Sequence, residues 1–256
     1  MSFRPRLSKL PRLFYALYAL LAFLTVGLAA LLLVLVIPGL ERRRKVVKAA
    51  AGFGLRLAGS PVSLHGVENL PAGQCVVVSN HASYLDGPVF TAALPPRFGF
   101  VIKREMAAVP LAGLLLHRIG SEFVERVREG RTADARRVMR RAEDGHSLVF
   151  FPEGTFGTGP GLLKFHAGAF ITAARAGCPV VPAVIHGTRR ALPPDGGLPR
   201  PQRLRIQLLP AIELQVGPGA ATRLQEQARA AILAALGEPD LTAAGEPPCV
   251  MLRAHD

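Results

Sequence analysis

The sequence has no tryptophan, only three tyrosines and three cysteines, and far fewer acidic residues (18) than basic ones (31). With aromatics at 6%, the stacking surfaces that proteins use to hold single-stranded nucleic acid are scarce, and no DNA- or RNA-binding motif stands out. The cysteines Cys75, Cys178 and Cys249 are widely spaced and form no C-x-x-C pair, which excludes a disulfide framework or a zinc ribbon and fits a reducing compartment. Cys75 and Cys178 border apolar runs and read as core thiols. The acidic deficit leaves a formal net charge of +13, which calls for an anionic partner: a membrane surface, a nucleic acid or an acidic substrate.

A long apolar run is present at the N-terminus. Residues Phe14 to Ile37 carry no formal charge and are mostly Leu, Ala, Val and Phe. As a helix they extend about 36 Å against about 30 Å of hydrocarbon. Arg4, Arg6, Lys9 and Arg12 precede the run, and Arg42, Arg43, Arg44 and Lys45 follow it. Basic flanks on both sides give no orientation by the positive-inside rule and also suit a helix lying in an anionic leaflet. The run is longer than a signal-peptide core and lacks a clear small-residue cleavage site. Val46 to Ala58 reads as a second helix, so residues 1–58 are expected to form a membrane-associated helical hairpin.

The remainder alternates short apolar runs with helical stretches. Cys75–Ser79, Phe98–Ile102, Glu122–Val127, Ser147–Phe151, Pro179–Ile185 and Arg203–Leu209 read as strands. Thr132–Glu143, Leu163–Arg175 (closed by Gly177) and Ala220–Leu236 read as helices. The expectation is an α/β domain over residues 59–237, a largely parallel sheet flanked by helices, followed by a loose Pro-, Gly- and Ala-rich tail over 238–256.

Sites in open α/β sheets gather beyond the carboxyl ends of strands. Two polar clusters fall there: Asn80-His-Ala-Ser-Tyr-Leu-Asp-Gly87 and Phe151-Pro-Glu-Gly-Thr155. A neutral imidazole backed by a carboxylate removes an alcohol proton near pH 7. His81 and Asp86 would stand about 140° apart around a regular helix, given about 3.6 residues per turn. They converge only if His81 sits in the turn before the helix. By itself the pair is a weak signal, because a capped helix N-terminus produces the same hexapeptide. Ser83 beside His81 lacks a G-x-S-x-G elbow, which argues against a serine hydrolase. A non-enzymatic membrane scaffold leaves the polar blocks unexplained.

Further blocks follow in order: Lys103-Arg-Glu105 with Pro110 and Gly113, Phe123-Val-Glu-Arg126, Phe151-Pro-Glu-Gly-Thr155 and Val180-Val-Pro182. Together with Asn80-His81 and Asp86-Gly87 they resemble the 1-acylglycerol-3-phosphate acyltransferase family of glycerolipid acyltransferases, over roughly residues 60 to 190. The resemblance implies that His81 is the general base and Asp86 its orienting partner, with direct attack on a thioester and no acyl-enzyme. It implies that Glu153, Gly154 and Thr155 line the acceptor site, and that Lys103 and Arg126 hold a phosphate or other anionic head. The donor would be acyl-CoA or acyl carrier protein and the acceptor a lyso-lipid, with no cofactor or metal. The protein would sit at the inner membrane with its domain facing the cytoplasm. One position departs from the pattern: many members have Arg after the Gly-Thr, and here it is Phe156, which removes a bidentate phosphate contact. Lys164, Arg104 and Arg189 are the candidates to replace it. Lysophosphatidate leads as acceptor, with another lyso-lipid or a lyso-aminolipid as the rival.

Overall fold

The computed structural model describes residues 10–125 and 131–242. Its centre is the β-branched run β2 (Val76–Ser79), all four residues of which are buried. Side chains alternate across a strand, so Val76 and Val78 face one side of the sheet and Val77 the other. On the first side they meet α5 (Arg131–Glu143), α6 (Gly168–Ala176) and α8 (Ala220–Leu236), through Val138, Phe170 and Ile232 among others. On the second, Val77 packs with Val89 and Phe90 of α3 (Asp86–Ala93), Ala191 of α7 (Thr188–Ala191), and Leu55 of α2 (Leu40–Leu57).

Seven strands form one sheet. With β1 (Val62–His65), β3 (Gly99–Lys103), β4 (Glu122–Val124), β5 (Leu148–Phe150), β6 (Val180–His186) and β7 (Leu204–Leu208), the order is β1-β7-β6-β2-β5-β3-β4. The five strands from β6 to β4 are parallel. β7 runs antiparallel to β6 and parallel to β1. The expected largely parallel sheet is therefore present, with two reversed strands at one edge. β1 escaped the sequence reading because its four residues alternate too briefly to signal a strand. So did α4 (Ala112–Arg118) and the one-turn helix over Arg104–Ala108 before it. Gly113 of the recurring block is explained there, since a Cβ at this position would collide with the Ala107 backbone.

One helix is shorter than expected and one longer. α6 starts at Gly168 rather than Leu163, because the His166 N–H, which would close the first turn onto the Leu162 carbonyl, donates to the Pro152 carbonyl (2.8 Å), while the Leu162 carbonyl accepts the Leu241 N–H (3.0 Å). α2 starts at Leu40 and takes in the basic cluster. The reason is Arg44, which is buried and donates to the carbonyls of Ile119 (2.9 Å), Arg97 (2.9 Å) and Gly120 (3.4 Å). Burial, with the charge of Arg141 nearby, pulls its pKa down to about 10. One turn on, Lys48 Nζ donates to the last carbonyls of α3, at Ala92, Ala93 and Leu94, where a cation satisfies orphan acceptors and suits the helix dipole.

α1 (Leu10–Val36) is 27 residues long and apolar enough to cross a membrane. Its buried residues include Ala16, Ala19, Ala22 and Ala30, small side chains that let two helices approach closely, while Leu17, Leu24, Leu28 and Leu32 are exposed. The hydroxyls of Tyr15 and Tyr18 tie it to the carbonyls of Ala58 and Leu57 at the end of α2. Val34, Val47 and Ile119 join this pair to the α/β body.

Replacing Arg44 by Met should leave several buried carbonyls without a donor. A loss of about 2 kcal/mol in unfolding free energy is expected, within the usual range for a charged hydrogen-bonding group. Denaturant titration in detergent micelles would measure it, with the exposed Arg42→Met as a control expected to change by less than about 0.5 kcal/mol.

Candidate active site

β2 ends at Ser79, and the chain turns through residues 80–85 before α3 begins at Asp86. Asn80 fixes the start of the turn: its Oδ1 accepts the Ile185 N–H (2.8 Å) and its Nδ2 donates to the Ile185 carbonyl (3.2 Å). The amide side chain thus extends the pairing of β2 with β6. Ser83 fixes the middle by donating to the Leu192 carbonyl at 2.8 Å. Asp86, fully buried, closes the turn. Its Oδ2 accepts from the backbone N–H of Ala82 (2.6 Å) and Ser83 (3.0 Å) and lies 2.7 Å from His81 Nδ1.

The sequence-predicted pair is therefore brought together, by His81 lying outside the helix. A carboxylate only accepts, so the geometry puts the proton on His81 Nδ1 and the lone pair on Nε2, the tautomer of a general base. The ring is clamped by two aromatics that the sequence reading did not assign to it. Phe151 stacks on it at 4.5 Å, and Phe156 meets it edge-on at 4.5 Å. Phe156 also packs against Tyr84. The residue standing where an Arg is common is thus part of the imidazole's apolar wall.

His81 borders a mostly apolar cavity of about 440 Å³. The cavity runs to Phe23 and Ala30 of α1, Val47 and Gly54 of α2, and Leu116 of α4. Gly154, Thr155 and Lys103 also line it. Arg126 lies outside the described residues. Among these, Lys103 is the sole lysine or arginine on the cavity wall and Glu105 the sole carboxylate. The proposed replacements for the missing Arg are placed elsewhere. Arg104 pairs with Asp134 and Glu125, Arg189 with Glu238, and Lys164 is exposed; none lines the cavity.

Glu153 also takes a different position from the one implied. It is buried beneath the cavity, where Oε1 accepts the His81 N–H (2.6 Å) and Oε2 the Leu163 N–H (2.8 Å). Gly154, with φ of 75°, makes the turn that follows. Burial pushes the Glu153 pKa up to about 7 against the lowering pull of the two amides; the charge of Asp86 adds to the rise and that of Arg189 opposes it.

Comparison with known proteins places these features in a family. A family profile described as "Acyltransferase" matches residues 61–186. A chloroplastic 1-acyl-sn-glycerol-3-phosphate acyltransferase of Brassica napus is 36% identical over 134 residues, which are 51% of this chain and 38% of that protein. A lyso-ornithine lipid O-acyltransferase of Pseudomonas aeruginosa is 32% identical over 145 residues, 57% of this chain and 52% of that one. The chain thus spans between about a third and about half the length of these curated relatives. The crystal structure of a 1-acyl-sn-glycerophosphate acyltransferase from Thermotoga maritima shares the fold, with a TM-score of 0.68 over 89% of this chain and 97% of that one, at 20% identity. Residues 61–186 carry an acyltransferase domain, and the chain is similar to 1-acyl-sn-glycerol-3-phosphate acyltransferases.

The raised pKa of Glu153 has a consequence for stability. The folded protein holds this proton more tightly than an ordinary glutamate, which titrates near 4.5, so the stability it contributes is complete below that pH and is lost as pH rises through about 7. The melting temperature of the wild type relative to Glu153→Gln is expected to fall across that window and level off above it. A pH-independent difference would mean that the carboxyl titrates normally.

Proposed function

We propose that this protein transfers a fatty acyl group from a thioester to a hydroxyl of a lyso-lipid at a membrane. The observation that carries the reading is the His81–Asp86 contact at the wall of an apolar cavity that reaches the N-terminal helix pair. The acceptor hydroxyl gives its proton to His81 Nε2 as its oxygen attacks the thioester carbonyl. Asp86 holds the ring through Nδ1 and stabilises the imidazolium that forms. Collapse of the tetrahedral intermediate expels the thiolate, which takes the proton back from His81. No acyl-enzyme is formed. The acyl chain lies in the cavity between α1, α2 and α4, whose apolar lining suits a hydrocarbon tail.

The donor is acyl-CoA or acyl carrier protein. The leading acceptor is 1-acylglycerol-3-phosphate, giving phosphatidic acid, with Lys103 and Arg126 at its phosphate and Gly154 and Thr155 beside its glycerol. A lyso-aminolipid is the second reading. It is favoured by Phe156 in place of the Arg fork, by the engagement of Arg104 and Arg189 with carboxylates, and by the similarity to a lyso-ornithine lipid O-acyltransferase. Residues 1–58 attach the protein to the inner membrane, α1 by its exposed leucines, and hold the domain of residues 59–237 at the cytoplasmic face.

Thiol release from palmitoyl-CoA in anionic detergent–lipid micelles tests this directly, with lysophosphatidate, a lyso-aminolipid or no acceptor, and acyl carrier protein as an alternative donor. Release should depend on an acceptor. His81→Ala should abolish it, and Asp86→Asn, which disturbs the tautomer, should cost between about 10² and 10⁴ in kcat. Dependence on the aminolipid alone would move the protein to the second reading, and silence with both donors and all acceptors would sink the enzyme reading. A separate arm concerns Phe156→Arg, which should raise kcat/KM for lysophosphatidate relative to the aminolipid if the ring is what disfavours phosphate.

A further inference from the structure

Glu238 follows α8 directly, in the stretch that composition marks as loose. Its Oε1 accepts from Arg189 Nη1 at 2.8 Å and its Oε2 from the Gly161 N–H at 2.6 Å. The contact continues along the chain: the Leu162 N–H donates to the Pro239 carbonyl (2.9 Å) and the Leu241 N–H to the Leu162 carbonyl (3.0 Å). Leu162 and Asp240 form a parallel bridge, and Asp240 is held by Arg229 of α8 at 2.6 and 2.8 Å. Leu241 sits directly on Gly161, where any Cβ would strike it. Residues 238–241 are thus a strap laid along the loop of residues 157–163.

That loop contains Gly157, Gly159, Pro160 and Gly161. Its glycines give it little conformational preference of its own. Yet it must deliver the Leu163 N–H to Glu153 Oε2, at 2.8 Å, while Glu153 Oε1 receives the His81 N–H at 2.6 Å. Hydrogen bonds from the strap to Gly161 and Leu162, the next residue's bond to Glu153, and Glu153's bond to the His81 N–H therefore link the strap, through three consecutive loop residues, to the backbone of the residue whose ring meets Asp86. Arg189, the other partner of Glu238, is close enough for its charge to act on Glu153.

We propose that Glu238 is a positioning residue for the transfer reaction: with the strap it fixes the glycine-rich loop that orients Glu153 and, through it, His81. The inference rests on His81 as the general base. It assigns Glu153 to holding the base and gives the C-terminal strap a part in catalysis.

The test is Glu238→Ala in the full chain, alone and combined with Glu153→Gln, assayed by thiol release and by amide exchange. In the otherwise wild-type protein, kcat should fall roughly tenfold with both KM values within about twofold, as small misplacements of catalytic groups produce. In the Glu153→Gln background the same change should cost nothing further, because the route it acts through is already cut. Amide exchange should quicken in the peptides covering 157–166 and 79–84 and stay unchanged in β5. A strap that merely stabilises the fold would give multiplicative losses in the two backgrounds, and that result overturns the proposal. So would a loss confined to KM, or an unchanged kcat. If Glu238→Ala does not fold, Glu238→Asp keeps the charge for Arg189 but draws the carboxylate back from Gly161; a lowered kcat is expected from it, and an unchanged one overturns the proposal. Should the wild type transfer nothing, the reading of His81 fails separately, and unchanged exchange at residues 79–84 in Glu238→Ala then overturns the positioning role.

Discussion

A single carboxylate oxygen organises the site. Asp86 Oδ2 takes donors from His81 Nδ1, Ala82 N–H and Ser83 N–H, and so determines the path of the six residues between β2 and α3. A buried carboxylate is costly unless its lone pairs are used. This one is satisfied at Oδ2 by the turn it creates, while Oδ1 is buried without a hydrogen-bond partner among the described residues and has only the end of the helix it begins to offset that cost. A five-residue spacing that would separate two side chains on a helix becomes a direct contact, because the first of them never enters the helix. Asn80 and Ser83 then join the turn to β6 and to the segment after it, so the geometry of the pair is set by the sheet.

The sheet order explains why two sequence blocks 70 residues apart serve one site. β2 and β5 are neighbours, and the segments leaving their carboxyl ends face each other. The first supplies His81 and Asp86; the second supplies Phe151 and Phe156 against the imidazole and Glu153 beneath its backbone. The cationic surplus is also less free than its sum of +13 suggests. Arg44 and Lys48 serve backbone carbonyls, whereas the pairs that Arg104, Arg137, Arg141, Arg189 and Arg229 make with carboxylates are already cancelled in that sum. The charge left for anionic lipid is correspondingly smaller.

Much of this was legible in the sequence, and the limits have physical causes. The strands with continuous apolar runs, the last helix and the His81–Asp86 pair could be read because burial and period leave marks on neighbouring residues. β1 was too short to show its period, and α4 opens at Leu111, whose φ of 61° no propensity announces. The start of α6 was misread because the partners that keep residues 162–166 out of the helix are backbone groups distant in sequence: the His166 N–H goes to the Pro152 carbonyl and the Leu162 carbonyl takes the Leu241 N–H. The role of Glu153 was hidden for a related reason: its partners are backbone amides, which every residue possesses. The substitutes proposed for the missing Arg failed because sequence distance does not reveal which carboxylate a cation will meet.

The cavity beside His81 is walled on one side by the sheet and α3 and on the other by α1 and α2. The helix that is apolar enough to cross a membrane is therefore also a wall of the apolar space beside His81. Gly27 and Gly54 line that space, and the flank of Gly54 touches Val26 across the pair. Under the proposed function, a change in how α1 tilts or sinks in a bilayer would alter the width of the chamber, and bilayer thickness would become a variable of substrate choice. On that reading anchor and measuring gauge are one object, and a substitution in α1 that adjusts one moves the other.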